Sequence, residues 1–140
     1  MTTLYTTSAT AKAGRNGQVS TDDNKLNLAL SYPKEMGGTG EATNPEQLFA
    51  AGYAACFSNA ILHVARETKT VITTAPTTAT VGIGPNDNNG FALTVTLSVD
   101  IELAQNEAVT LVNTAHQVCP YSNAVRGNID VKLIVNGHAL

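Results

Sequence analysis

The sequence is poor in the residues that mark several common classes of protein. Only 14% of its 140 residues are charged, the formal net charge is −3, and tryptophan is absent. So sparse and slightly acidic a set of charges forms no basic patch, and we expect no binding to nucleic acid or to acidic lipid. No repeat or long linker interrupts the chain, so its length predicts a single domain over residues 1–140.

Cysteine is also scarce, with two residues in the whole chain. The N-terminal segment MTTLYTTSATAKAG has no basic start followed by an apolar block, so we expect no secretory signal and a cytoplasmic location. In such a reducing compartment the two cysteines are not expected to form a structural disulfide. Cys56 and Cys119 are therefore inert core thiols, metal ligands or redox-active groups.

The longest apolar run, NPEQLFAAGYAACFSNAILHVAR at positions 44–66, predicts a long buried central helix. Asn44 is a suitable N-cap, and Pro45 suits the first helical position, where a missing N–H costs nothing. Nearly every face is apolar, as in a helix inside a core or a membrane. Because polar residues interrupt the run, we expect a core helix and no membrane span. These residues are Ser58, Asn59 and His63.

The remaining pattern predicts strands before, between and after two helices. A second helix is expected at 106–118, ending before Pro120, which disfavours helical geometry in the preceding residue. This order lacks a regular alternation of strand and helix, so it favours an α+β sheet with helices on one face. The predicted strands cover residues 3–12, 18–20, 25–30, 77–84, 91–103 and 129–135.

Metal binding is one reading of the cysteines. Cysteine and histidine are the usual zinc ligands, and the chain has four candidates for a Cys₂His₂ site. However, it contains no C-x-x-C or H-x-x-x-H anchor, so a zinc-binding structural module is the weaker hypothesis. The four candidates are Cys56, His63, His116 and Cys119.

Thiol chemistry is another reading beside inert core thiols, and it needs a cation close to Cys56. Arg66 lies ten residues further along the helix, or about 15 Å, which is too far for direct contact. Arg15 lies in a turn flanked by glycines that can reach inward. A buried guanidinium needs a carboxylate partner, and Glu46 is the candidate.

Several motifs together resemble a known family. The segments TNPEQLFAAGYAACF and VCPYS, with AGRNGQV and YPKEMGG upstream, are similar to the organic hydroperoxide resistance (Ohr) branch of the Ohr/OsmC family. The resemblance extends over essentially the whole chain. It implies an OsmC-like α+β fold with an antiparallel sheet, a long buried central helix, a second helix and an intertwined homodimer.

The resemblance also implies an activity, that of a thiol peroxidase which reduces alkyl and lipid hydroperoxides to alcohols. Cys56 attacks the peroxide and becomes a sulfenic acid, Cys119 resolves it as a disulfide, and Arg15 with Glu46 polarises the reactive thiol. No cofactor or metal is bound, and dihydrolipoyl groups on a lipoylated carrier protein supply the electrons. The chain has Ala13 where the family often has glycine. The sister OsmC branch, with broader substrates, is the alternative within the family.

Aromatic residues near the two motifs form either an apolar pocket for the alkyl group or ordinary core packing. They are Phe49, Tyr53, Phe57 and Tyr121.

The spacing of Glu46 and Cys56 raises a question of geometry. The ten residues between them span about 15 Å in a continuous helix. Either the helix breaks near Gly52, or Glu46 serves the site of the other subunit. We favour the second explanation, which predicts a homodimer with composite active sites.

Overall fold

The computed structural model describes residues 1–140 and contains three helices and seven strands. The chain divides into two compact units, an N-terminal unit of Met1–Leu48 and a C-terminal unit of Phe49–Leu140. The single domain expected over residues 1–140 stays a prediction. The elements are β1 (Ala9–Lys12), β2 (Gln18–Thr21), β3 (Asn27–Ala29), α1 (Pro45–Glu67), β4 (Thr77–Pro85), β5 (Phe91–Val99), α2 (Gln105–Val118), α3 (Pro120–Val125), β6 (Lys132–Val135) and β7 (His138–Ala139).

The N-terminal unit contains a three-stranded antiparallel sheet in the order β1-β2-β3. The strand predicted over residues 3–12 forms only at Ala9–Lys12, and all four of its residues are exposed. Gly17 closes the turn between β1 and β2, where a Cβ atom would lie 1.5 Å from the Lys12 carbonyl oxygen. Leu30 is the one apolar residue of this unit that is buried, so the unit has almost no core of its own.

The C-terminal unit contains a four-stranded sheet in the order β4-β5-β6-β7. Strands β4 and β5 form a long antiparallel hairpin, paired from Thr77↔Val99 to Pro85↔Phe91. Strand β6 runs parallel to β5, so the expectation of a wholly antiparallel sheet is wrong at this pair. The chain crosses from β5 to β6 through α2 and α3, and a helical crossover of this kind brings the next strand back in the same direction.

Helix α1 begins as predicted, because the Asn44 side-chain oxygen accepts a hydrogen bond of 2.9 Å from the Gln47 N–H. It continues unbroken to Glu67, so it does not break at Gly52. Its length and mean hydropathy of 1.4 would suit a membrane span, but it supplies six of the residues buried in this structure. They pack in one cluster with apolar side chains of β5, α2 and β6.

Within one copy of the chain α1 is buried on one side only, and cover of its other face by a second subunit stays a prediction. Four residues at a spacing of four remain exposed along one face. This spacing follows the helical repeat, so the exposed residues form a continuous stripe. They are Ala51, Ala55, Asn59 and His63.

Candidate active site

The two cysteines face each other within the C-terminal unit. The Cys119 Sγ lies 3.6 Å from the Cys56 Sγ, and both thiols are free. Cys56 is half-buried in the middle of α1, whereas Cys119 is fully buried. A disulfide has an S–S distance of about 2.05 Å, so these sulfurs need only a short approach to form a bond.

Cys119 is the single residue between α2 and α3. Its extended backbone (φ −61°, ψ 124°) is the geometry expected before a proline, and Pro120 begins α3. The Cys119 N–H donates to the Ala115 carbonyl oxygen in α2, and its own carbonyl oxygen accepts from the Asn123 N–H in α3. The chain therefore turns a corner at the residue that carries the second sulfur.

The environment of Cys56 within the C-terminal unit favours the neutral thiol. Burial raises the pKa of Cys56, because a thiolate is poorly solvated in apolar surroundings. A hydrogen bond from the Tyr121 backbone N–H acts in the opposite direction but does not overcome burial. A reactive thiolate at this position thus requires an additional positive group.

Tyr121 packs closely on α1 one turn before Cys56. A Cβ atom at Gly52 would lie 2.8 Å from the Tyr121 hydroxyl oxygen, so glycine is needed for this approach. The Tyr121 side chain is still 40% exposed. It therefore forms an outer wall of the cysteine site.

The predicted aromatic residues do cluster, with Tyr53 at the centre. Its ring centroid lies 6.2 Å from that of Phe49, 6.3 Å from that of Phe57 and 5.7 Å from that of Tyr121. Tyr53 and Phe57 are fully buried in the core, whereas Phe49 and Tyr121 are accessible. Contact of these residues with a substrate stays a prediction.

Arg15 and Glu46 form a bidentate ion pair within the N-terminal unit. Two guanidinium nitrogens of Arg15 lie 2.6 and 2.5 Å from the carboxylate oxygens of Glu46. This pairing lowers the pKa of Glu46 and raises that of Arg15, so both groups are charged at neutral pH. The Arg15 guanidinium also lies 5.9 Å from the centre of the Tyr32 ring. The pair predicted from the sequence therefore exists, while its role stays a prediction.

The turn that carries Arg15 contains an alanine in a glycine-like conformation. Ala13 has φ 57° and Gly14 has φ 56°, both in the left-handed region. A residue with a Cβ atom is disfavoured there by about 1–2 kcal/mol, so Ala13 is a strained position in this turn.

A hydrogen-bonded chain of three side chains was not predicted. The Ser122 hydroxyl lies 2.7 Å from the Tyr53 hydroxyl oxygen and 2.8 Å from Nδ1 of His116. Burial raises the pKa of Tyr53, and burial followed by the nearby Arg126 charge lowers that of His116, so both are neutral at pH 7. The sequence signals were only the serine in VCPYS and a histidine three residues before Cys119, and the structure shows that this serine is buried.

The zinc alternative finds no support in this arrangement. No group of three or more His, Cys, Asp or Glu side chains is placed to hold a metal ion. His63 is exposed on α1, and His116 is engaged with Ser122.

The fold and the facing thiols define an α+β protein with a cysteine pair. The chain belongs to the OsmC-like family, since the model of that family, described as OsmC-like protein, matches residues 38–134. An organic hydroperoxide resistance protein of Xanthomonas axonopodis pv. citri is 50% identical over 133 residues, which cover 93% of each chain. The resemblance inferred from the sequence motifs is confirmed.

Solved structures agree with this assignment and confirm the expected fold class. A Vibrio cholerae protein described as an organic hydroperoxide resistance protein, with captopril bound in one of the active sites, is 71% identical. It superposes with a TM-score of 0.98 over 100% of this chain and 97% of its own. The organic hydroperoxide resistance protein OhrB of Bacillus subtilis is 43% identical, with a TM-score of 0.87 over 96% of this chain and 100% of its own.

Proposed function

We propose that the protein is a cysteine-based peroxidase that reduces organic hydroperoxides to alcohols. The observation that carries this proposal is the 3.6 Å separation of two free thiols, one half-buried and one fully buried. Relatives named organic hydroperoxide resistance proteins indicate the class of substrate.

The chemistry proceeds in three balanced steps. The Cys56 thiolate attacks one peroxide oxygen, the O–O bond breaks, and the alkoxide takes up a proton and leaves as an alcohol. Cys56 is then a sulfenic acid. The Cys119 thiol attacks the Cys56 sulfur, and hydroxide leaves with the thiol proton as water, which yields a disulfide. An external dithiol reduces that disulfide by exchange and becomes a disulfide itself.

The cation that the thiolate requires is Arg15, held by Glu46 as a bidentate pair. Helix α1 is unbroken, so Glu46 and Cys56 are about 15 Å apart along its axis. This spacing favours a homodimer in which the Arg15–Glu46 pair of one subunit serves Cys56 of the other.

Two further observations support an intertwined dimer. The N-terminal unit buries a single apolar residue, Leu30, which is too little to stabilise a segment of 48 residues alone. Helix α1 leaves the exposed stripe at 51, 55, 59 and 63 uncovered. A second copy of the chain would cover both surfaces.

The proposed electron donor is a dihydrolipoyl group on a carrier protein, and the proposed location is the cytoplasm. Both extend the family resemblance to this chain. No bound cofactor takes part, because the sulfur pair itself stores the two electrons of each cycle.

The test is a single-turnover titration of the reduced protein with cumene hydroperoxide. One equivalent should remove both thiols, release one equivalent of alcohol and form an intramolecular Cys56–Cys119 disulfide. Dihydrolipoamide should then restore both thiols faster than glutathione or thioredoxin does. Unchanged thiols after treatment with the hydroperoxide would refute the proposal.

A mixing experiment tests the composite site. Cys56→Ser and Glu46→Gln proteins are combined under conditions of proven subunit exchange. If active sites are shared between subunits, heterodimers recover activity that neither parent has. No recovery would show that each chain builds its own site.

A further inference from the structure

Three buried or half-buried side chains form a continuous hydrogen-bonded chain beside the thiols. Ser122 is its centre, bonded to the Tyr53 hydroxyl at 2.7 Å and to Nδ1 of His116 at 2.8 Å. Ser122 and Tyr53 have no exposed surface, so no water competes for these bonds. Neither the proposed thiol chemistry nor the family assignment gives these three residues a role.

This hydrogen-bonded chain of side chains connects the three helices that carry or adjoin a cysteine. Tyr53 lies in α1, three residues before Cys56. His116 lies in α2, three residues before Cys119. Ser122 lies in α3, three residues after Cys119. Tyr53 and Cys56 are three residues apart in one helix and so lie on the same face, while His116 and Ser122 stand three residues before and after the corner at Cys119, so the hydrogen bonds lie close to both sulfurs.

Arg126 strengthens the corner between α2 and α3 from outside. Its guanidinium donates to the His116 carbonyl oxygen at 2.5 Å and also to the Asn123 side-chain oxygen. The end of α2 and the body of α3 are thereby joined at a second place. The His116 ring is held as well, because it packs against Phe57 with ring centroids 6.2 Å apart.

We propose that Tyr53, Ser122 and His116 are positioning residues for disulfide closure, holding the backbones around Cys119 against α1 while the sulfurs approach. The inference rests on the proposed peroxidase function. The sulfurs must move from 3.6 Å to bonding distance after Cys56 has gained an oxygen atom. Of the two sulfurs, peroxide attack uses only that of Cys56, whereas closure depends on the relative placement of both. Only closure should therefore depend on this chain of hydrogen bonds.

Two variants remove the hydrogen bonds while retaining most of the packing. Tyr53→Phe keeps the buried ring and deletes one hydroxyl, and Ser122→Ala deletes the central hydroxyl. Ser58→Ala is the matched control, because the Ser58 hydroxyl lies on the same helix but donates to the Ala75 carbonyl oxygen at 2.7 Å.

Each protein is mixed with one equivalent of cumene hydroperoxide and quenched at intervals. Alcohol release reports peroxide attack, loss of the second thiol reports closure, and dimedone traps the sulfenic acid in between. In Ser122→Ala, alcohol release should match the parent, and in Tyr53→Phe closure should slow more than alcohol release does. Closure should be about tenfold or more slower, because misplacement of reacting atoms by about 1 Å can cost 10²-fold. Dimedone adducts should accumulate in these variants but not in Ser58→Ala.

Closure at the parental rate in both variants would overturn the proposal. Equal slowing of both steps with a lower melting temperature would also overturn it, since that pattern indicates general destabilisation. A second assay separates this proposal from the peroxidase function. A mixed disulfide between Cys56 and a small thiol is made with 2,2′-dithiodipyridine, and its displacement by Cys119 is timed without peroxide. The variants should again close more slowly, even if the parent proves inert to hydroperoxides.

Discussion

The two units of the chain divide the features of an active thiol between them. The C-terminal unit contains the sulfur pair in an apolar core that raises the pKa of Cys56. The N-terminal unit contains the Arg15–Glu46 ion pair but buries only Leu30 among its apolar residues. The apolar core of the C-terminal unit is suited to holding two sulfurs, but it disfavours a charged group because such a group would be poorly solvated there. If Arg15 serves Cys56 as proposed, the comparison teaches that the charged unit must be held in place by something other than its own core.

The largest effect should come from removing a sulfur of the C-terminal unit. Cys56→Ser removes the nucleophile and should abolish alcohol release. Cys119→Ser should release one equivalent of alcohol and then stop with a trapped sulfenic acid at Cys56. Product analysis by mass spectrometry checks both outcomes. Continued turnover of the Cys56→Ser protein would place the chemistry elsewhere.

Removing the cation from the N-terminal unit should have the next largest effect. If Arg15 serves Cys56 as proposed, Arg15→Gln leaves the pKa of Cys56, which burial raises, without an offsetting cation. The pH midpoint of iodoacetamide alkylation should move upward, and peroxide attack at neutral pH should slow by about 10²-fold, or about 2.7 kcal/mol.

The matched control is Lys12→Gln, which removes an exposed cation of the same unit. It should leave the alkylation midpoint unchanged. An equal shift in both variants would mean that the unit acts through net charge and not through a specific contact.

A smaller effect is expected at the wall formed by Tyr121. Gly52→Ala places a Cβ atom within 2.8 Å of the Tyr121 hydroxyl oxygen, and the half-exposed ring should swing outward. Alanine favours the helix over glycine by about 1 kcal/mol, so the melting temperature should change little. Iodoacetamide should react with Cys56 several-fold faster, because the displaced ring gives the reagent better access to the thiol.

The double variant Gly52→Ala with Tyr121→Ala sharpens this test. Without the ring there is nothing to displace, so the alanine at position 52 should add no further gain in reaction rate. A gain of the same size in both backgrounds would contradict the packing explanation.

The smallest effect concerns the turn before Arg15. Ala13→Gly relieves the left-handed strain at φ 57° and should stabilise the protein by up to about 1 kcal/mol. Ala11→Gly, in the extended strand β1, should instead destabilise it slightly. Urea unfolding measures both, and equal destabilisation by the two changes would rule out strain at position 13.

Much of the fold followed from local sequence. Asn44 and Pro45 correctly predicted where α1 begins, because capping depends on neighbouring residues only. The direction of β6 was missed, since a short run such as Lys132–Val135 has the same apolar pattern in a parallel or an antiparallel sheet. The long buried helix was predicted, but the sequence does not tell which of its faces is covered by the chain's own sheet and which is left for another molecule.

The site was predictable to the extent that motifs define it. The ion pair between Arg15 and Glu46 followed from charge pairing and from the resemblance. The bond between Tyr53 and Ser122 joins residues 69 positions apart, and no local pattern carries such a contact. A buried hydroxyl needs a partner, but sequence alone does not say which one.

The corner at Cys119 has a mechanical consequence. Its N–H belongs to the hydrogen bonds of α2 and its carbonyl oxygen to those of α3, so both backbone groups are already satisfied. The sulfur can therefore swing about its own side-chain torsion without unwinding either helix. In the proposed peroxidase cycle, oxidation and reduction would then cost little rearrangement of the main chain, so repeated cycles would not loosen the architecture.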